Sequence, residues 1–224
     1  YQGLPLASRS LCYWRVRAWD RKRHVSQWSP VARFSVGLLN KEQIHGVYIG
    51  SSPEGGKVCA PLLRKKVQIG ELATTFLYVN SLGYHEVYVN GKKVTENVLT
   101  PAVSQLNKRS LMVTYDVSSY LKEGENDLLI WLGQGWYKKT TFGAAYDGPL
   151  VKAELDMLKD GKWKVLTATD TSWSGRESGY SDIGNWCALQ FGGERVDGRI
   201  VPTEFSTYSL DKMKWYPVVE VNVR

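Results

Sequence analysis

Between residues 194 and 199 the chain sets two carboxylates, Glu194 and Asp197, beside two guanidiniums, Arg195 and Arg199. Glycoside hydrolysis needs two carboxylates facing one bond, one acting as acid and the other as base or nucleophile. Such a pair works from opposite walls of a cleft, whereas these two share one short segment. They fit better as a network that pins a loop, because the planar guanidinium matches a carboxylate bidentately. Three places apart on a strand, Glu194 and Asp197 would face opposite sides, so that one fixes the loop and the other reaches outward. The preceding Gly192-Gly193 lets another surface approach the backbone closely. The expectation is a border with another domain, carried by Glu194, Arg195, Asp197 and Arg199.

A second chemistry is stacking on sugar rings, whose axial C–H groups meet the negative face of an aromatic ring. Several aromatics fall near expected loop ends, among them Trp131, Trp136, Tyr137, Trp173, Tyr180 and Trp186. Gly133-Gln134-Gly135 follows an apolar run and can present Trp136 and Tyr137 at a rim. Trp136, Tyr137 and Trp186 are the candidate carbohydrate contacts, and Trp131 is assigned to packing. The histidines His24, His45 and His85 are isolated and lack ligand or triad spacing. They read as surface or boundary residues. There is no GxSxG elbow, no phosphate loop and no acidic metal loop. Cys12, Cys59 and Cys187 show no CxxC spacing, and free thiols are expected over a disulfide. The sequence therefore nominates no catalytic residue, no metal and no cofactor.

The net charge of +7 raises the possibility of a nucleic-acid partner. Its distribution argues against one: residues 1–40 hold seven bases and one acid, leaving 22 bases against 21 acids elsewhere. Arg21-Lys22-Arg23 reads as a solvated hairpin tip, not as part of a wide basic face interleaved with aromatics. No apolar run is long enough to span a bilayer, and no membrane partner is expected. The chain opens on Tyr1 in mid-motif, without initiator Met or signal peptide, and is expected to be an internal fragment.

The elements that must position these residues are strands. Tyr84, Glu86, Tyr88 and Asn90 alternate with His85, Val87 and Val89, the period of a half-buried strand. Asn90-Gly91 supplies two residues suited to positive φ in a tight hairpin turn. Further strands are expected at 62–69, 74–81, 111–116, 127–131, 151–158, 164–167 and 218–223, with helical turns only at 117–121 and 210–213. Residues 170–200 lack a steady period and read as a long ordered loop crossing the sandwich. Residues 1–37, with strands at 11–19 and 31–36, look like the C-terminal strands of a fibronectin type III-like domain. The tyrosine six residues after a leucine is missing there, since Cys12 follows Leu6 at that distance. Two strands cannot close a sandwich, so the others must be missing, donated or replaced. A linker at 38–46 leads to the main domain, 47–224. The fold class is all-β: an antiparallel β-sandwich of jelly-roll, galactose-binding-like type, preceded by two strands of an incomplete sandwich.

The ordered set GxxExxxNGxxV, LxP, TYDVxxxLxxGxN and LGxGWY, running from Gly83 to Tyr137, resembles the N-terminal β-sandwich of bacterial α-L-rhamnosidases, glycoside hydrolase family 78. Asp160-Gly161, the run Thr169 to Trp173 and the GExxDxR-like segment Gly193 to Arg199 extend it downstream. Tyr13 to Asp20 and Trp28-Ser29 extend it upstream. The resemblance implies a whole enzyme that hydrolyses terminal α-L-rhamnosyl linkages with inversion. Its catalytic acid would lie in an (α/α)6 barrel following this domain, so none of the family's catalytic residues maps onto this chain. The implied role is a non-catalytic part of a secreted or periplasmic enzyme, inactive alone, that braces the barrel and contacts carbohydrate. Its partners would be a rhamnose-containing glycan and the catalytic domain of the same protein. Rival readings are a free-standing carbohydrate-binding sandwich, marked by a concave face with exposed aromatics, and an adhesion or spacer module with neither feature.

Overall fold

The computed structural model describes residues 3–52, 59–106, 108–137, 146, 148–184 and 192–223. The chain divides into two compact units, Tyr1–Ile44 and His45–Arg224. In the first, β1 (Leu11–Trp14) pairs antiparallel with β2 (Ala32–Ser35), Leu11 opposite Ser35 and Trp14 opposite Ala32. β1 is shorter than the expected strand because serine hydroxyls take over the ladder. Ser29 Oγ accepts from the Val16 amide at 3.1 Å and Ser26 Oγ from the Ala18 amide at 3.0 Å. The hairpin tip is closed by the Asp20 carboxylate, which accepts from the amides of Lys22 and His24. Two strands enclose no core. Trp14, Trp19 and Trp28 are accordingly about half exposed, and Arg15 and Arg17 lie over the Trp28 ring at 4.5 and 4.6 Å.

The second unit begins with β3 (Ile49–Ser51), β4 (Pro61–Ile69), β5 (Thr75–Leu82), β6 (Tyr84–Val89) and β7 (Lys92–Lys93). β8 (Met112–Asp116), β9 (Gly124–Gly133), β10 (Leu150–Lys159) and β11 (Lys162–Ala168) follow. The last part carries β12 (Ser174–Glu177), β13 (Tyr180–Ile183), β14 (Gly193–Val196), the short helix α1 (Thr207–Asp211) and β15 (Tyr216–Glu220). The pairing order is β7-β6-β9-β4-β12-β15-β3-β10-β5-β8, with β11 beside β10. All of these pairings are antiparallel.

Alternation explains the layering. β4 turns Leu63, Val67 and Ile69 inward, β6 turns Val87 and Val89, and β9 turns Leu128, Ile130 and Leu132. Opposite them stand Leu77 and Val79 of β5 and Val151, Ala153, Leu155 and Met157 of β10. Each fully buried aliphatic side chain contributes roughly 1.5–3 kcal/mol. The Asn90-Gly91 turn has φ of 50° and 80°, as its residue types require.

Three expectations change. Residues 174–177 are not loop: β12 bridges β4 and β15, with Ser174 opposite both Arg64 and Pro217. This strand has no apolar alternation because its inward residue is Gly175, packed beneath Leu63 and Val218. β13 and β14 form a separate hairpin, Tyr180 opposite Val196. Finally, His85 is not a surface residue but lies in the core, 3% exposed.

α1 is capped by Ser206, whose hydroxyl accepts from the Ser209 amide at 3.3 Å. It lays Leu210 on the outward residues Leu62 and Leu129, where Phe205, Met213 and Trp215 complete a second apolar layer. No helix among the described residues is long and apolar enough to cross a membrane.

Candidate functional site

Beyond that apolar layer, the outer face of β6 and β9 meets the β13–β14 hairpin in a cleft of about 420 Å³. A hollow of about 220 Å³ adjoins it, sharing Tyr84, Leu99, Tyr180 and Glu194 as walls. Strand phase places Tyr84: it follows Glu86 and Tyr88 on the outward side of β6, while His85, Val87 and Val89 point inward. Gly135 then brings the loop after β9 against the Tyr84 ring. It adopts φ of 48°, and a Cβ there would lie 2.7 Å from the ring. That close approach sets Trp136, half-buried, on the wall beside Tyr84. Tyr180 is held by an edge contact with Trp131 at 5.1 Å, and Trp131 is held in turn by Phe205 at 5.7 Å.

The carboxylates around the cleft differ in their commitments. Glu86 accepts from the Tyr88 hydroxyl at 2.7 Å and from Lys93 Nζ at 2.6 Å. Burial, followed by that hydrogen bond, pushes the Tyr88 hydroxyl well above the usual phenol range. Glu194 is exposed and stands opposite Asp182 across the hairpin, so the two belong to one wall. A general acid needs a poorly solvated setting; this pair stands in water. The cleft therefore offers aromatic faces and hydrogen-bond acceptors for a polar ring, without a placed acid and base. Among the described residues no group of three or more His, Cys, Asp or Glu could hold a metal ion.

The sequence candidates separate. Trp136 and Glu194, assigned to different roles, line the same cleft. Tyr137 is not at the rim: it is 4% exposed and packs with Leu82 and Leu150, so its ring faces are covered. The loop turns at Gln134, whose carbonyl accepts from the Tyr137 amide, and sends consecutive aromatics to opposite sides. Trp186 lies outside the described residues. Arg195 is exposed on β14 opposite Ser181. Asp197 is not on that strand but in the turn after it. Arg199 grips it with Nε at 2.9 Å and Nη2 at 2.6 Å, and this contact holds the carboxyl well below the usual range. Asp182 was not singled out by the sequence, and only the β13–β14 register reveals it. Tyr84 had a usable signal, its shared phase with Glu86 and Tyr88.

Cys59 and Cys12 are half-buried free thiols, and Cys59 sits in the cleft wall; Cys187 lies outside the described residues.

A family model described as the alpha-L-rhamnosidase N-terminal domain matches residues 70–224. A second, the Rha78A-like N-terminal immunoglobulin domain, matches residues 1–40. The fibronectin type III-like expectation thus resolves to the broader immunoglobulin-like description, another sandwich of the same architecture. An alpha-L-rhamnosidase of Alteromonas sp. (strain LOR) is 30% identical over 98% of this chain and 25% of its own length. One of Formosa agariphila is 27% identical over 97% of this chain and 25% of its own. The structure of alpha-L-rhamnosidase from Dictyoglumus thermophilum superposes with a TM-score of 0.80 at 26% identity, covering 99% of this chain and 26% of that one. The Aspergillus terreus enzyme has the same fold, with a TM-score of 0.80 at 24% identity. The chain spans about a quarter of the length of these relatives. A sandwich matched over nearly its whole length, with the family model spanning β5 to β15, fixes the assignment: the chain belongs to the alpha-L-rhamnosidase N-terminal domain family.

Proposed function

We propose that this chain is the non-catalytic N-terminal part of an α-L-rhamnosidase, and that its aromatic cleft contacts the glycan which the whole enzyme cleaves. The observation that carries the reading is coverage: the chain corresponds to one quarter of proteins named as alpha-L-rhamnosidases. Support for carbohydrate contact comes from the cleft itself, where Tyr84, Trp136 and Tyr180 stand beside the exposed Glu194. Aromatic faces with a few convergent polar groups are what a sugar ring needs from a protein. Cleavage of terminal α-L-rhamnosyl linkages would belong to the remaining three quarters. A polymeric glycan substrate goes with a secreted or periplasmic enzyme.

The test is Trp136→Ala in the full-length protein, assayed on a rhamnose-terminated oligosaccharide. KM rises about 5- to 20-fold while kcat changes less than about twofold, since loss of a contact made equally in ground and transition states acts on binding alone. An unchanged KM rules out carbohydrate contact at this cleft. A kcat lost by several orders of magnitude would place Trp136 in the catalytic machinery.

A further inference from the structure

A second hollow, of about 600 Å³, opens where the end of β12 meets the turn after Asp197 and the segment following α1. Its charged lining is Arg176, Glu177, Arg199, Lys212 and Lys214, which is four cations against one carboxylate. Arg199 is neutralised by Asp197. The other three cations are not held in this way, although the Glu204 carboxylate acts on Lys212 through space. Arg176 spends only Nε, on the Glu177 carbonyl at 3.0 Å. Lys212 lies 3.7 Å over the Tyr208 ring and Lys214 lies 4.9 Å over Tyr216. None of the three forms an ion pair among the described residues. Ile200, Val201 and Met213, all half-buried, supply apolar surface between them.

Three like charges gathered round one concavity repel each other, and a self-contained surface disperses or pairs them. We infer that this basic hollow is the docking site for a carboxylate-bearing segment of the catalytic part of the same protein. The inference rests on the rhamnosidase reading, through the three quarters of the relatives' length that lie outside this chain. Charge complementarity and an apolar floor suit a protein segment: carboxylates pair with Arg176, Lys212 and Lys214, and its aliphatic side chains cover Val201 and Met213. Such pairing sets the register of one domain on another and excludes wrong orientations. Gly198 and Arg199, in the turn that the Asp197–Arg199 ion pair closes, line its rim.

The experiment compares the full-length protein with this chain by acetylation of lysines and by carbodiimide cross-linking, which joins an amine to a carboxylate in direct contact. Lys212 and Lys214 should react at least tenfold more slowly in the full-length protein. Lys22, in the hairpin tip of the first unit, should react equally in both. Cross-links should join Lys212 or Lys214 to Asp or Glu residues of the catalytic part, and should fail to form when the reaction is run in 1 M salt. A second readout is the double variant Arg176→Glu, Lys212→Glu, which should lower the Tm of the full-length protein and leave that of the isolated chain within about 2 °C. Equal lysine reactivity in both proteins overturns the inference. Protection that appears only when an anionic oligosaccharide is added also overturns it, and assigns the hollow to a ligand. These readouts do not use turnover. An inactive full-length protein with protected lysines would contradict the rhamnosidase reading alone, and an active one with unprotected lysines would contradict the docking site alone.

Discussion

His85 shows how one buried side chain ties β6 to two strands, β5 and β8, with which it is not paired. Its Nδ1 lies 2.7 Å from Ser81 Oγ, its Nε2 lies 2.9 Å from the Tyr115 hydroxyl, and Ser81 Oγ lies 3.1 Å from the Gly83 carbonyl. One arrangement satisfies every atom: Tyr115 donates to Nε2, Nδ1–H donates to Ser81, and Ser81 donates to the carbonyl. It requires a neutral ring. A proton on Nε2 would face the Tyr115 hydroxyl hydrogen, and burial pushes the His85 pKa down to about 4. In the unfolded chain the value is about 6.5. The unfolded state therefore binds more protons between these values, and stability falls as pH drops from about 6.5 to about 4. The full loss is about 3 kcal/mol, with no contribution above about pH 7. Urea unfolding at pH 7.5, 5.5 and 4.5 should show this decline, and His85→Gln should flatten it. Parallel profiles for the two proteins would contradict the assignment. Gly91 is the second sensitive residue. With φ of 80°, and with a Cβ destined to lie 2.9 Å from the Phe205 carbonyl oxygen, it admits no side chain. Gly91→Val should cost about 1–3 kcal/mol in strain, read as a lowered urea midpoint with unchanged m; a neutral substitution would refute the turn.

At the scale of elements, the least self-sufficient piece is α1, a single short helix that cannot persist alone. Arg64 of β4 anchors it. The side chain is buried, reaches Asp127 with Nε at 2.6 Å and Asp211 of α1 with Nη2 at 2.7 Å, and lies under the Trp215 ring at 5.4 Å. Hydrogen bonds from Arg64, then Lys66, hold the Asp211 carboxyl below its usual range. Arg64→Leu leaves Asp127, 2% exposed, without its partner and should cost about 3–5 kcal/mol. Arg64→Leu with Asp127→Leu should recover most of that loss in urea unfolding. A single variant costing under about 1 kcal/mol would show that the helix is held by apolar packing alone. The strands were readable where alternation or a turn dipeptide marked them, as in β6 and the Asn90-Gly91 turn. β12 was not, because Gly175 supplies no apolar signal and the strand is recruited by its neighbours. The turn holding Asp197 was misplaced onto a strand although the Asp197-Gly198 dipeptide marks it as a turn in the sequence. At the cleft, Trp136 was readable from its glycine-flanked loop. Tyr137 was not separable from it in sequence, since only the Tyr137 amide bond to Gln134 decides which of two adjacent rings turns inward.

At the scale of the whole molecule, the aromatic cleft and the basic hollow face outward, and among the described residues neither carries a pair of carboxylates placed across a bond. The fold is shared with much longer glycosidases, and the chemistry proposed for this piece is recognition and support. The proposed function is a division of labour within one protein, with binding and bracing in this chain and bond cleavage in the remaining three quarters that its relatives possess. The most direct test is turnover of an aryl α-L-rhamnoside by equal molar amounts of this purified chain and of the full-length protein. The full-length protein should release the aryl alcohol, and the chain alone should show a rate indistinguishable from buffer. Turnover by the chain alone, abolished by Glu194→Gln, would contradict it, and so would a folded full-length protein that leaves the rhamnoside intact.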